Sequence, residues 1–137
     1  MTYQAVIPID AEAALAADLS DLWGHSVYPT PLPDGYASAL PCALVTSVGG
    51  GSSDMVVYEH AVSIDVYADS WAEADAEARN LAGIVAALAT IEPQNGVQWR
   101  TSELNSAPYP NPDPNNRRTP RSSFAAIVRA RGAIIDL

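Results

Sequence analysis

Residues 55–88 read MVVYEHAVSIDVYADSWAEADAEARNLAGIVAAL, and within them one hydrophobic period hands over to another. Val56, Tyr58, His60, Val62, Ile64, Val66 and Ala68 alternate with Val57, Glu59, Ala61, Ser63, Asp65 and Tyr67. A period of two marks a long strand, here about Met55 to Ala68, with two unlike faces. After Asp69-Ser70 the spacing changes: Trp71, Ala74, Ala78, Leu81, Val85 and Leu88 recur every three or four residues, along one side of a helix. Glu73, Asp75, Glu77 and Arg79 occupy the opposite side. A strand followed at once by an amphipathic helix needs a sheet for the helix to cover. The expected core therefore joins Val56, Val62, Ile64 and Val66 to Trp71, Leu81, Val85 and Leu88. No catalytic group sits at the junction.

Upstream, Asp10 is placed to cap a helix over Ala11 to Trp23, with Gly24 as its stop. His25 to Tyr28 suggests a short strand. Pro29, Pro31 and Pro33, with Asp34-Gly35, form an extended linker. Residues 41–48 read as a strand opened by Pro41, and Gly49 to Asp54 as a flexible hairpin loop. Downstream, the helix should end near Ile91, before Pro93. A strand follows from Val97 to Leu104, with Val97, Trp99 and Thr101 on one face. Asn105 to Arg121 is rich in proline and asparagine and reads as a long flexible loop. The last strand, Ser122 to Arg131, puts Phe124, Ala126, Val128 and Ala130 on one face. Gly132 to Leu137 is left as a short tail. The order predicts one α+β domain over 1–137: a mainly antiparallel sheet, with an N-terminal helix and one long amphipathic helix packed on one face.

The formal net charge is −9, and it is unevenly spread. Residues 1–103 hold 14 acids and 2 arginines, a balance of −12; residues 104–137 hold 2 acids and 5 arginines, a balance of +3. Lysine is absent. An acidic body argues against binding a phosphate backbone, which requires basic surface. It fits a solvated surface, or a body whose basic arm meets another subunit. No apolar run reaches the roughly 20 residues that span a bilayer, and Met1 to Asp10 lacks the features of a signal peptide. Use in a cytoplasm is the expectation.

The residues that carry chemistry are sparse. Cys42 is the one cysteine; it lies in an apolar run with no basic neighbour to lower its pKa, so a buried, inert thiol is expected. His25 and His60 lack partners at metal-ligand spacing, and His60 reads as a satisfied, half-buried strand residue. Gly49-Gly50-Gly51-Ser52 matches neither phosphate-binding glycine pattern. Asp65, Asp69, Glu73 and Glu77 are explained by a solvated face. Ser20 and Ser70 suit helix caps or surfaces, and no serine sits in a nucleophile elbow. No catalytic residue, cofactor or metal is expected.

From Asp10 to Arg131 the layout resembles the tail terminator (minor tail, tail completion) proteins of long-tailed bacteriophages. The residues that carry the resemblance are Leu40-Pro41-Cys42-Ala43-Leu44-Val45, Gly49-Gly50-Gly51, the strand Val62 to Ala68 and the helix start Ser70 to Ala74. Pro108 to Pro114 and the strand end Val128-Arg129-Ala130-Arg131 complete the set. The resemblance implies a structural virion protein that assembles in the host cytoplasm. It would form a hexameric ring in the tail neck that caps the head-proximal end of the tail tube. Its partners would be itself, the tail tube protein and the head–tail connector protein, with DNA passing through but no specific nucleic-acid or membrane binding. The family has no catalytic residues to carry over. A head-to-tail ring needs two unlike contact surfaces. Arg117, Arg118 and Arg121 are the candidates for the charged contact; Tyr109, Ile134 and Ile135 are the candidates for the apolar one. The alternatives are another phage neck protein, such as a head-completion or connector subunit, and a small-molecule-binding or enzymatic α+β domain.

Overall fold

In chain order, the computed structural model, which describes residues 3–137, contains β1 (Gln4–Ile7), α1 (Ala11–Trp23), β2 (Ser26–Pro29), β3 (Cys42–Ser52) and β4 (Val57–Tyr67). It continues with α2 (Trp71–Ala87), β5 (Trp99–Pro110), β6 (Arg121–Arg131) and β7 (Ala133–Asp136). Single 3-10 turns follow at Tyr36–Ser38 and, as the last turn of α2, at Leu88–Thr90. The large sheet has the order β2-β3-β4-β6-β5, and β1 and β7 form a separate two-stranded ribbon. Among the described residues, only the β2–β3 pairing is parallel; the rest are antiparallel. The fold class is α+β, as the change of period implies.

Both helices form for the reasons their sequences give. Asp10 Oδ1 accepts the free N–H of Ala13, and Gly24 closes α1 in the left-handed region at φ 82°. Ser70 Oγ accepts the Glu73 N–H in the same way at the start of α2. The helices cover one face of the sheet. Val62, Ile64 and Val66 of β4 are sealed beneath Ala78, Leu81 and Val85 of α2, with Leu15 and Leu19 of α1 in the same cluster. Phe124, Ala126, Val128 and Ala130 extend that core along β6.

Two members of the expected core lie elsewhere. Trp71, the first residue of α2, is 45% exposed. Val56 is only half-buried and precedes β4, where its carbonyl accepts the Gly132 N–H.

The loops are shorter than the sequence suggests. Gly49–Ser52 belongs to β3, which carries a bulge between Ser47 and Gly50. Gly50 sits so close to the neighbouring strand that an added Cβ would lie 2.0 Å from the Glu59 carbonyl oxygen, at a φ of +135°. Asn105–Pro110 continues β5, so the irregular stretch shrinks to 111–120. Tolerance of Pro108 and Pro110 follows from β5's place at the sheet edge, where one row of N–H groups has no partner to lose. A further bulge falls at Arg100: Trp99 pairs with Ala130 on the core side, whereas Thr101 pairs with Arg129. Thr101 therefore does not share a face with Trp99, and Ser102 turns to the helix, where its Oγ accepts the Ala89 N–H. The tail 132–137 is not a tail but holds β7.

Candidate functional site

The sheet face away from the helices is covered at one end, where Tyr67 and Ser123 are buried against Tyr36 and Asn111, and is half-buried along the rest. Along β4 it presents Glu59, Ala61, Ser63 and Asp65; along β6 it presents Ser123, Ala125, Ile127 and Arg129. Its charges are largely settled within the subunit. Arg129 meets Glu59 at 2.5 Å and Glu103 at 3.5 Å, and Asp65 accepts the Ser123 hydroxyl at 2.5 Å. Between these two ends lie Ala61, Ser63, Ala125 and Ile127, all half-buried. The asparagines and arginines that follow β5 lie at the far end of the sheet.

The structure separates the three arginines marked by the sequence. Arg117 and Arg118 are exposed in the turn between β5 and β6. Arg121 is half-buried. Its Nε donates to the Asn111 carbonyl at 2.7 Å, and its guanidinium lies 3.9 Å from Asp113. It braces its own loop instead of reaching outward. The same loop is tied to the body by the Asn116–Tyr36 side-chain hydrogen bond and by Tyr67 Oη donating to Asp113 at 3.3 Å. Burial pushes the Tyr67 hydroxyl pKa up to about 12. Tyr109 is exposed on β5.

Ile134 and Ile135 are exposed, as a contact surface requires, yet they point to opposite faces of the ribbon. Ile134 pairs with Val6, and Ile135 pairs with Ala5. The ribbon stands on the end of the large sheet, anchored by the Gly132 N–H to Val56 and by Tyr58 Oη donating to the Val6 carbonyl at 2.6 Å.

The residues with reactive side chains are held structurally. Cys42 is fully buried, and desolvation pushes its thiol up to about 11, a range in which it is a poor nucleophile. Glu77 accepts the Trp23 indole N–H, joining the two helices. Among the described residues, no group of three or more His, Cys, Asp or Glu side chains could hold a metal ion. No helix of the described residues is long and apolar enough to cross a membrane. A shallow cleft of about 420 Å³ opens between the start of α1 and the bulge of β3, lined by Asp10, Glu12, Ser47, Gly50 and His60, among others. Glu12 is engaged there, accepting the N–H groups of Thr30 and Ser47.

Two buried polar residues escaped the sequence reading. Asp18, on the buried side of α1, accepts from Trp99 Nε1 and from Asn95 Nδ2, both at 2.7 Å. The signal was an acid set among leucines in a helix stripe. His60 is 7% exposed, and its Nε2 has no hydrogen-bond partner, so the expectation of a satisfied histidine is corrected. Burial lowers its pKa, which keeps the imidazole neutral.

No protein-family model and no curated protein matches the chain. Among solved structures it is similar to a chain from the virion of a native gene transfer agent (GTA) particle. That likeness covers 85% of this chain and 86% of the other, with a TM-score of 0.53 and 17% sequence identity. At this identity the two chains share a fold.

Proposed function

We propose that this protein is a structural component of a phage-type virion: a ring subunit that caps the head-proximal end of a tail tube. It ends tube growth and offers the surface on which the head joins. The likeness to a virion chain along nearly the whole of both chains carries this reading. The surface supports it. Part of one face of the large sheet and one face of the ribbon are left uncovered, as a subunit with two unlike neighbours requires. Cys42 is buried with a raised pKa, and Asp18, Glu12 and Glu77 are hydrogen-bonded within the subunit, which fits a structural role.

The partners under this reading are further copies in a hexameric ring, the tail tube protein and the head–tail connector protein. The six-fold number rests on the resemblance to tail terminators. Assembly takes place in the host cytoplasm, and the finished location is the neck of the virion. Strong net negative charge suits a passage for DNA, since like charge keeps phosphate from sticking.

The test is electron microscopy of tails assembled with and without the protein. Tubes of one length with it, and of unregulated length without it, are the expected result. Tubes of equal length in both, with the protein bound on the portal side, would replace this reading with that of a head-completion or connector subunit.

A further inference from the structure

The cleft between the start of α1 and the bulge of β3 holds a polar group that the fold leaves unused. His60 alternates with Val62 and Ile64, so it lies on the helix side of β4, where it borders the cleft. It is 7% exposed, and its Nε2 is the one buried side-chain nitrogen or oxygen among the described residues without a hydrogen-bond partner. Native folds seldom leave such an atom unpaired, because the lost hydration is not recovered. Burial keeps the imidazole neutral, so one ring nitrogen carries a lone pair and accepts a hydrogen bond. Rotation about χ2, a broad torsion in histidine, can turn that nitrogen toward the cleft.

Around His60 the cleft offers acceptors and no cation. Asp10 spends Oδ1 on the Ala13 N–H, and its other oxygen has no partner among the described residues. Glu12 accepts only the neutral N–H groups of Thr30 and Ser47. No arginine borders the cleft, and among the described residues neither carboxylate has a salt-bridge partner. Glu59 also borders it, but its carboxylate meets Arg129 on the opposite sheet face. Across from α1 the wall is Gly49-Gly50-Gly51, which has no side chain to fill the opening.

This set of groups selects a class of ligand. An anion would find the free N–H groups of the first helical turn, but also two carboxylates and no compensating cation. A metal ion needs at least three converging ligands, and no such group occurs among the described residues. An apolar ligand would leave the two acids and the imidazole as they are. An organic cation with several N–H donors answers all three acceptors together. A guanidinium suits the cleft better than an ammonium: it is planar, weakly hydrated and rich in donors, and its flat faces tolerate apolar walls such as Ile9 and Tyr58. The volume of about 420 Å³ accommodates an arginine side chain. We propose that this cleft binds a guanidinium group, held by the carboxylates of Asp10 and Glu12 and by a neutral ring nitrogen of His60. The chemistry is that of arginine, as a residue of a protein partner or as a free small molecule. The site stands apart from the tail-terminator reading and goes beyond it.

Nuclear magnetic resonance titration of the whole chain tests it. The probe is N-acetyl-arginine amide, and N-acetyl-citrulline amide is the uncharged control of nearly the same shape. Shifts should gather at Asp10 to Glu12, at Ser47 to Gly51 and at the imidazole nitrogens of His60, and the citrulline probe should bind about tenfold more weakly or worse. Asp10→Asn keeps a good helix cap, and it and His60→Leu should each weaken the arginine probe about fivefold or more. His60→Gln restores a neutral acceptor and should recover part of that loss. Asp34→Asn removes an exposed acid outside the cleft and should change nothing. Circular dichroism controls for folding. Equal binding of the two probes would overturn the proposal, as would shifts spread over the acidic surface, an affinity unchanged in either cleft variant, or no shift at the highest soluble concentration. Free arginine, run alongside, separates the sources: tighter binding of the blocked amide assigns a residue in a protein, and tighter binding of free arginine assigns a small molecule. Tail-length microscopy reads the ring function separately, so failure of this site and failure of the tail-terminator reading give different results.

Discussion

The indole N–H of Trp99 donates to Asp18 Oδ2 at 2.7 Å, with both residues buried, and so ties the edge strand β5 to the first helix. Asn95 holds the other carboxylate oxygen and closes the connection between α2 and β5 onto the same point. Replacing Asp18 with Ala leaves the Trp99 donor without a partner in an apolar setting. Loss of hydrogen bonds to a charged group should cost about 1.5–3 kcal/mol each, or somewhat less after the site relaxes. Asp18→Asn retains one acceptor oxygen and should cost less than Asp18→Ala. Urea unfolding midpoints of the two variants check the order.

Leu81 and Trp71 lie on one helical stripe in the sequence, yet only Leu81 is buried. Leu81→Ala should therefore destabilise by about 2–5 kcal/mol. Trp71→Ala should cost much less, because nearly half of the indole is already in water. Thermal unfolding of both variants tests the register of α2 on the sheet.

His60 sets a pH dependence. Its pKa in the folded state lies below that of an exposed histidine, because burial disfavours the cation. The unfolded chain therefore binds the proton more readily. The stability associated with the neutral imidazole is complete above the unfolded pKa of about 6.5 and is lost as pH falls below it toward the folded value. His60→Leu keeps an apolar side chain in the strand and removes the titration. Unfolding midpoints measured at neutral pH and at about pH 5.5 should drop for the wild type and drop less for the variant.

Charge reversal should separate the arginines. Arg121→Glu places a carboxylate beside Asp113 and removes the donor to Asn111, so it should lower stability. Arg117→Glu with Arg118→Glu alters exposed residues and should leave the fold intact. Exposed ion pairs are worth about 0–1 kcal/mol each, so if the proposed tail-terminator function holds, the double change should reduce binding to tail-tube protein modestly, and more at low salt. Circular dichroism and sedimentation, read together, distinguish the two outcomes.

Much of the fold was legible because periodicity and caps are local. The β4 alternation, the α2 stripe, Asp10, Gly24 and Ser70 each act within a few residues of themselves. What was not legible is pairing across the chain. Gln4–Ile7 and Ala133–Asp136 are too short to declare themselves as strands; each exists because the other is beside it. The Arg100 bulge breaks an alternation that the sequence shows as regular, since only the partner strand reveals the extra residue. The prolines of 108–110 read as loop, although an edge strand tolerates them. For the residues marked as contacts, the structure bears on exposure alone. Tyr109, Ile134 and Ile135 are exposed, whereas Arg121 turns inward because Asp113 and Asn111 are near it in space.

The ladder between β4 and β6 pairs Val57 with Arg131 at one end and Tyr67 with Arg121 at the other. The centre of the sheet thus joins strands far apart in sequence, with a helix and the edge strand in between. Closing such loops is entropically slow, so this chain should collapse late for its size. During synthesis, β3 and β4 can zip as a hairpin, but one edge of β4 stays bare until β6 has been made. A bare apolar edge seeks other edges, and in a cell filling with copies of the same chain the nearest are identical. Yield of soluble subunit should thus depend on the rate of translation and on temperature more than on the stability of the finished fold.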